Sequence, residues 1–114
     1  MHEAGVLYRI LEEAQHIAAE NEADEVYEIV LQIGELSACI PMYMQHYFPM
    51  LTENKPKLKN AKLTVEVIPG IVRCLDCGTE YDLLEQEGYC PACRSFDKMV
   101  VSGKELVIKE ISTR

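Results

Sequence analysis

The first twenty residues of the chain carry apolar side chains at steps of three and four positions. The repeating positions are Val6, Leu7, Ile10, Leu11, Ala14, Ile17 and Ala18. Side chains at this spacing share one face of an α-helix. We therefore predict an amphipathic helix from Glu3 to about Asn21, followed by a turn.

A second pattern, with a period of two, begins at Val26 and ends at Ile33. Such alternation is typical of a strand with one buried face. It assigns one side of the strand to Tyr27, Ile29, Leu31 and Ile33, and the other to Glu28 and Gln32. Gly34 ends the predicted strand.

A second helix is predicted over residues 41–53, where Met44, Phe48 and Leu51 can line one face. Proline is well tolerated at a first helical position, and Pro41 stands there. Proline inside a helix removes a hydrogen bond, so we expect Pro49 to kink or shorten the helix.

Three further strands are predicted from short runs of apolar residues bounded by turn residues. They cover residues 63–67, 98–101 and 105–111. Together the elements predict an α+β fold, with two helices packed on a short β-sheet.

Four cysteines lie in two close pairs, Cys74-x-x-Cys77 and Cys90-Pro-Ala-Cys93, with twelve residues between the pairs. Each pair can place two thiolates on one metal, and the interval lets the second pair complete a tetrahedron. We predict a structural Zn(II) site with these four ligands. A closed site of this kind leaves no open position for catalysis. A disulfide or thiol redox module is the less favoured alternative.

The cysteine segment predicts a zinc-ribbon-like module over residues 71–101, inserted between two strands of the main sheet. The main α+β domain is then discontinuous and comprises residues 1–70 plus 102–114. Pro69-Gly70 and Ser102-Gly103 flank the insert like hinges, an arrangement that permits domain swapping between copies.

Charge and hydropathy exclude several classes of function. The chain has 11 Lys and Arg against 19 Asp and Glu, a formal net charge of −8, which is a poor match for nucleic acid. The longest apolar run, 38–44, is too short to span a membrane. No Gly-rich phosphate loop or catalytic-triad signature is present, so we expect no enzyme activity. The first twenty positions have no apolar core behind a basic start, and instead carry Glu3, Arg9, Glu12, Glu13 and Glu20. We therefore expect no secretory signal and a cytoplasmic location.

The chain opens with Met1-His2-Glu3 directly before the predicted helix. The Met1 amine, the His2 amide nitrogen and the His2 imidazole are within reach of one metal. Nitrogen ligands with a carboxylate suit Ni(II) or Cu(II). Residue types alone favour a simpler arrangement over a metal site. In this arrangement His2 is a surface histidine, and the carboxylate beside it is favourable at the helix N-terminus. The residues by themselves leave both interpretations open.

Three motifs together resemble one family from end to end. They are Met1-His2-Glu3 opening a helix, Ile33-Gly34-Glu35-Leu36-Ser37 closing a strand, and the paired cysteines with Cys90-Pro-Ala-Cys93. In these features the chain is similar to the HypA/HybF family of hydrogenase nickel-incorporation proteins.

The resemblance implies a nickel metallochaperone that helps to load Ni(II) into [NiFe]-hydrogenase and, in some organisms, urease. It implies that His2 binds nickel, with the Met1 amine and nearby backbone, and that Glu3 supplies an oxygen or supports the site. The implied partners are a hydrogenase-maturation GTPase and the hydrogenase large-subunit precursor. We expect a monomer or homodimer.

The chain departs from the family pattern at two places. Some relatives have an acidic nickel ligand where this chain has Cys39, Ile40 and Pro41. Some also have histidines beside the zinc cysteines, and none is present here, so we predict no pH switch at the zinc. Cys39 could be a soft metal ligand, although an isolated cysteine in an apolar stretch is more often a small buried hydrophobe. The alternative function is a zinc-ribbon interaction or regulatory module without nickel transfer.

Overall fold

The computed structural model describes residues 3–114, and within them two helices and six strands follow one another. In chain order they are α1 (Glu3–Glu20), β1 (Val26–Gly34), α2 (Pro41–Thr52), β2 (Lys62–Ile68), β3 (Ile71–Cys74), β4 (Glu80–Asp82), β5 (Lys98–Ser102) and β6 (Leu106–Thr113). The strands form two separate three-stranded sheets. None of the helices in this part of the chain is long and apolar enough to cross a membrane.

The first sheet has the strand order β2-β1-β6. Strand β1 runs parallel to β2, because α2 carries the chain back across the sheet, and antiparallel to β6. The helices pack on this sheet around buried residues that include Leu7, Leu11, Ile29, Leu31 and Met44. The predicted α+β arrangement of two helices on a short sheet is confirmed.

One detail of the first sheet differs from the sequence prediction, and one detail of α2 bears on the prediction for Pro49. Tyr27 is 40% exposed and does not share a buried face with Ile29, because an irregularity in the register between Val26 and Glu28 breaks the alternation. Helix α2 runs through Pro49 to Thr52, one residue short of the predicted end, so the proline does not shorten it. The Thr52 hydroxyl donates a hydrogen bond to the Phe48 carbonyl at 3.0 Å within this last turn.

The second sheet has the strand order β4-β3-β5 and a much smaller core. Its buried residues are Val72, Cys74, Tyr81 and Cys90, and Leu83 packs against them. A cluster of this size supplies little hydrophobic stabilisation by itself. This part of the chain therefore needs a cross-link or a metal to hold its fold.

The chain passes twice between the two sheets, and both passages meet the end of β1. A Cβ atom added at Gly34 would lie 1.9 Å from the Gly103 carbonyl oxygen, and one added at Gly103 would lie 2.6 Å from the Pro69 carbonyl oxygen. Gly103 also has a φ of +97°, a conformation that glycine adopts without strain. The segments that the sequence marks as hinges are therefore closely packed against each other.

Candidate metal centres

The first cysteine pair stands in a tight turn after β3. The amide of Gly78 donates to the Cys74 carbonyl at 3.0 Å, and the Cys74 amide donates to the Thr79 carbonyl at 2.8 Å. Gly78 has a φ of +80°, which bends the chain back after Cys77. The turn brings both cysteines of the pair to the same side.

The second pair repeats this turn with different residues. The amide of Arg94 donates to the Cys90 carbonyl at 2.8 Å, and the Cys90 amide donates to the Ser95 carbonyl at 3.0 Å. Arg94 occupies the position of Gly78 and has a φ of +66°. The sequence did not predict this repeat. A glycine after the first pair indicates a left-handed backbone conformation, whereas an arginine after the second pair does not.

The two turns bring the four sulfur atoms together, all within 4.8 Å of one another. The Cys74 and Cys93 sulfurs are 3.5 Å apart, and those of Cys77 and Cys90 are 3.6 Å apart. A tetrahedral zinc with Zn–S bonds of about 2.3 Å needs sulfurs about 3.8 Å apart, whereas a disulfide needs about 2.05 Å. The donor set therefore fits one zinc ion, which would cross-link the two turns.

Half of this sulfur cluster faces solvent: Cys74 and Cys90 are buried, and Cys77 and Cys93 are exposed. Without a metal, the pKa values of the two exposed thiols move in opposite directions. Hydrogen bonds with the Thr79 side chain and backbone lower the pKa of Cys77 to about 6. The Ser95 amide lowers the pKa of Cys93, but contacts with the other cysteines outweigh it and raise that pKa to about 12. Zinc binding at neutral pH must therefore release protons from this cluster.

The predicted nickel residues Met1 and His2 lie outside the described residues. Glu3 is the first described residue, and it is only 8% exposed. One of its carboxylate oxygens, Oε2, accepts a hydrogen bond from the Ile40 amide at 3.1 Å. Ile40 precedes the first turn of α2, where no side chain caps the helix. The start of α1 is thus tied to the start of α2.

Cys39 lies beside this contact and is half-buried against the main core. Its amide donates to the Ser37 hydroxyl at 3.3 Å. Burial, and next the negative charge of Glu3, raise the pKa of the Cys39 thiol. The side chain therefore stays a neutral thiol at neutral pH.

Glu35 joins the two sheets, a role that its sequence did not reveal. Its Oε1 accepts a hydrogen bond from the Gly70 amide at 2.9 Å, and its own amide donates to the Ile68 carbonyl at 2.9 Å. The next residue, Leu36, donates its amide to the Gly103 carbonyl at 2.8 Å. The segment after β1 therefore holds both passages between the sheets.

Comparison with known proteins assigns this architecture to a family. The family profile described as hydrogenase/urease nickel incorporation, metallochaperone, hypA, matches residues 1–113. The chain belongs to the HypA family. HypA proteins are metallochaperones for nickel incorporation and not enzymes.

Among curated HypA relatives, the hydrogenase maturation factor HypA of Trichodesmium erythraeum is 36% identical over 112 residues, covering 97% of this chain and 94% of that protein. The HypA of Geobacter metallireducens is 32% identical over 111 residues, covering 97% of each chain. These relatives are matched over nearly their whole length, so the HypA similarity includes both sheets.

Solved HypA structures share the fold. The solution structure of the Ni metallochaperone HypA from Helicobacter pylori has a TM-score of 0.70 and 24% identity, covering 99% of this chain and 97% of that one. A second HypA solution structure has a TM-score of 0.72 and 23% identity, covering 100% and 97%. At these identities the likeness establishes the fold alone.

Proposed function

We propose that this chain carries Ni(II) at its N-terminus and delivers it during maturation of [NiFe]-hydrogenase or, in some organisms, urease. The His2 imidazole, the Met1 amine and nearby backbone nitrogen are the proposed ligands. Three nitrogen donors on adjacent residues suit Ni(II), and weak coordination by them would allow release to an acceptor.

The observation that carries the proposal is the anchoring of Glu3. Its carboxylate is buried and bonded to the Ile40 amide, and Glu3 directly follows His2 in the sequence. An anchored neighbour reduces the conformational freedom that His2 must lose when it binds a metal. We therefore propose that Glu3 supports the nickel site through this contact rather than through a dominant metal bond. Some relatives have an acidic nickel ligand near this position, whereas Ile40 offers no carboxylate to the metal.

The four cysteines are proposed to hold Zn(II) as a structural ion. Zinc supplies a cross-link between the two turns and carries no reaction. We also propose the division into a nickel-binding domain, residues 1–70 plus 102–114, and a zinc-binding module, residues 71–101. The two hydrophobic clusters, one on each sheet, support this division.

The proposed partners are a hydrogenase-maturation GTPase and the hydrogenase large-subunit precursor, and the proposed location is the cytoplasm. Free cysteines fit a reducing compartment, because thiols there stay available to a metal. We propose no nucleic-acid partner, since the chain carries a net charge of −8.

Nickel titration of untagged, zinc-loaded protein tests the ligand assignment. We expect His2→Ala to abolish binding of one nickel equivalent and Glu3→Gln to weaken it. His16→Ala is the matched control, because His16 is exposed and pairs with Glu20 at 3.3 Å. Unchanged nickel affinity and unchanged hydrogenase maturation in His2→Ala would reject the proposal and favour a zinc-ribbon interaction module without nickel transfer.

A further inference from the structure

Two hydrogen bonds join the two cysteine turns to each other without passing through a sulfur atom. The amide of Leu75, in the first turn, donates to the Asp97 carbonyl, which lies just beyond the second turn, at 3.0 Å. The Ser95 hydroxyl, at the end of the second turn, donates to the Asp76 carboxylate of the first. Because no sulfur takes part, both bonds are compatible with the zinc that the four cysteines are proposed to hold.

Two further hydrogen bonds fix Ser95 in its own turn. Its carbonyl accepts from the Cys90 amide at 3.0 Å, and its hydroxyl oxygen accepts from the Asp97 amide at 3.2 Å. The hydroxyl is therefore held in place by the second turn while it donates to Asp76. A bond between two such anchored groups restricts the movement of one turn relative to the other.

The bond between Ser95 and Asp76 lies beside the solvent-facing half of the sulfur cluster along the chain. Asp76 directly precedes Cys77, and Ser95 follows Cys93 by two positions. Cys77 and Cys93 are the exposed members of the cluster, and the other two cysteines are buried. A chelator or a competing metal reaches a bound zinc from this side, so release of the ion begins at these two ligands.

We propose that Asp76 and Ser95 are positioning residues for the zinc, and that their hydrogen bond slows its release. When one exposed sulfur leaves the metal, the bond keeps that sulfur near the ion, so it rebinds before a second ligand leaves. Groups that hold metal ligands in place in this way contribute measurably to metal retention. The inference rests on the proposed Zn(II) site and adds to it the residues that control its exchange.

The test is the rate at which the full-length, zinc-loaded protein transfers zinc to an excess of a chelator that changes colour on binding the ion. Ser95→Ala removes the donor and leaves the net charge unchanged, and Asp76→Ala removes the acceptor. Asp76→Asn keeps a side-chain oxygen that can accept the bond. Ser102→Ala is the matched control, because the Ser102 hydroxyl donates to the Pro69 carbonyl at 3.1 Å and joins neither cysteine turn.

We expect Ser95→Ala and Asp76→Ala each to speed zinc transfer by about fivefold, as for the loss of one hydrogen bond of ordinary strength. The double variant should match the single variants, because all three lack the same bond. Asp76→Asn should restore most of the original slow rate. Ser102→Ala should change the rate by less than about twofold, as is usual for a surface substitution.

Four results would overturn the inference. Equal rates for Ser95→Ala and Ser102→Ala would show that the bond does not retain zinc. An effect of both Asp76 variants without any effect of Ser95→Ala would assign the change to charge. Additive effects in the double variant would give the two residues separate roles. An unsubstituted protein that binds no zinc would reject the proposed zinc site together with this inference, whereas zinc that is bound and released equally fast by every variant rejects the inference alone.

Discussion

Substitution of Gly34 by alanine tests the packing of the two passages between the sheets. The new Cβ would lie 1.9 Å from the Gly103 carbonyl oxygen. Ordinary contact begins at 3.4 Å, so backbone must move by 3.4 − 1.9 = 1.5 Å. That movement strains two hydrogen bonds of 2.8 Å, from the Gly34 amide to Glu105 and from the Leu36 amide to Gly103. Losing both bonds, with the cost of overpacking, lowers the free energy of unfolding by about 3 to 5 kcal/mol.

The assay is urea denaturation of the zinc-loaded protein, followed by circular dichroism of the helices. Gly5→Ala is the matched control, because Gly5 lies in α1 and a Cβ there meets nothing within 4 Å. Alanine at that exposed helical position should raise the free energy of unfolding by about 0.5 to 1 kcal/mol. If Gly34→Ala unfolds at the same urea concentration as the unsubstituted protein, the close packing at Gly34 is not a constraint on the fold.

Four further predictions follow from the same contacts. Removing zinc with a chelator, or replacing buried Cys90 by serine, should collapse the amide chemical-shift dispersion of β3 to β5 and leave that of β1, β2 and β6; equal loss in both sheets would contradict the separate cores. Arg94→Gly should raise the melting temperature, because relief of the left-handed conformation is worth about 1 kcal/mol, and a lower value would refute that strain. Pro49→Ala should stabilise α2 by about 1 to 3 kcal/mol by supplying the missing helical amide, measured in urea; no gain would mean that the helix already compensates. Nickel affinity should fall as the pH drops through about 6.5, where an imidazole protonates, and calorimetric titrations with a flat pH dependence would exclude histidine ligation.

The helices and the four-cysteine cluster were predictable because each has a strong local signal. The apolar repeat predicts a helix from Glu3 to about Asn21, and α1 ends at Glu20. The side assignment of Tyr27 was wrong, because a register irregularity depends on the partner strand and leaves no mark in the alternation.

The contacts that join distant segments could not be predicted from spacing. Glu35 was recognised only as part of a motif, and its bond to the Gly70 amide crosses 35 positions of sequence. The link between Glu3 and Ile40 crosses 37 positions. The left-handed turn at Arg94 was hidden because its residue type does not favour that conformation. The roles of Met1 and His2 stay predictions.

The most direct test of the nickel proposal compares the untagged protein with the same chain extended by residues before Met1. Both proteins are zinc-loaded, and metal content is measured before and after nickel titration. The proposal predicts that the extension removes one nickel equivalent while zinc stays bound, because the Met1 nitrogen becomes an amide and no longer offers a free amine. Equal nickel binding by both proteins, or none by either, would contradict nickel capture at the N-terminus.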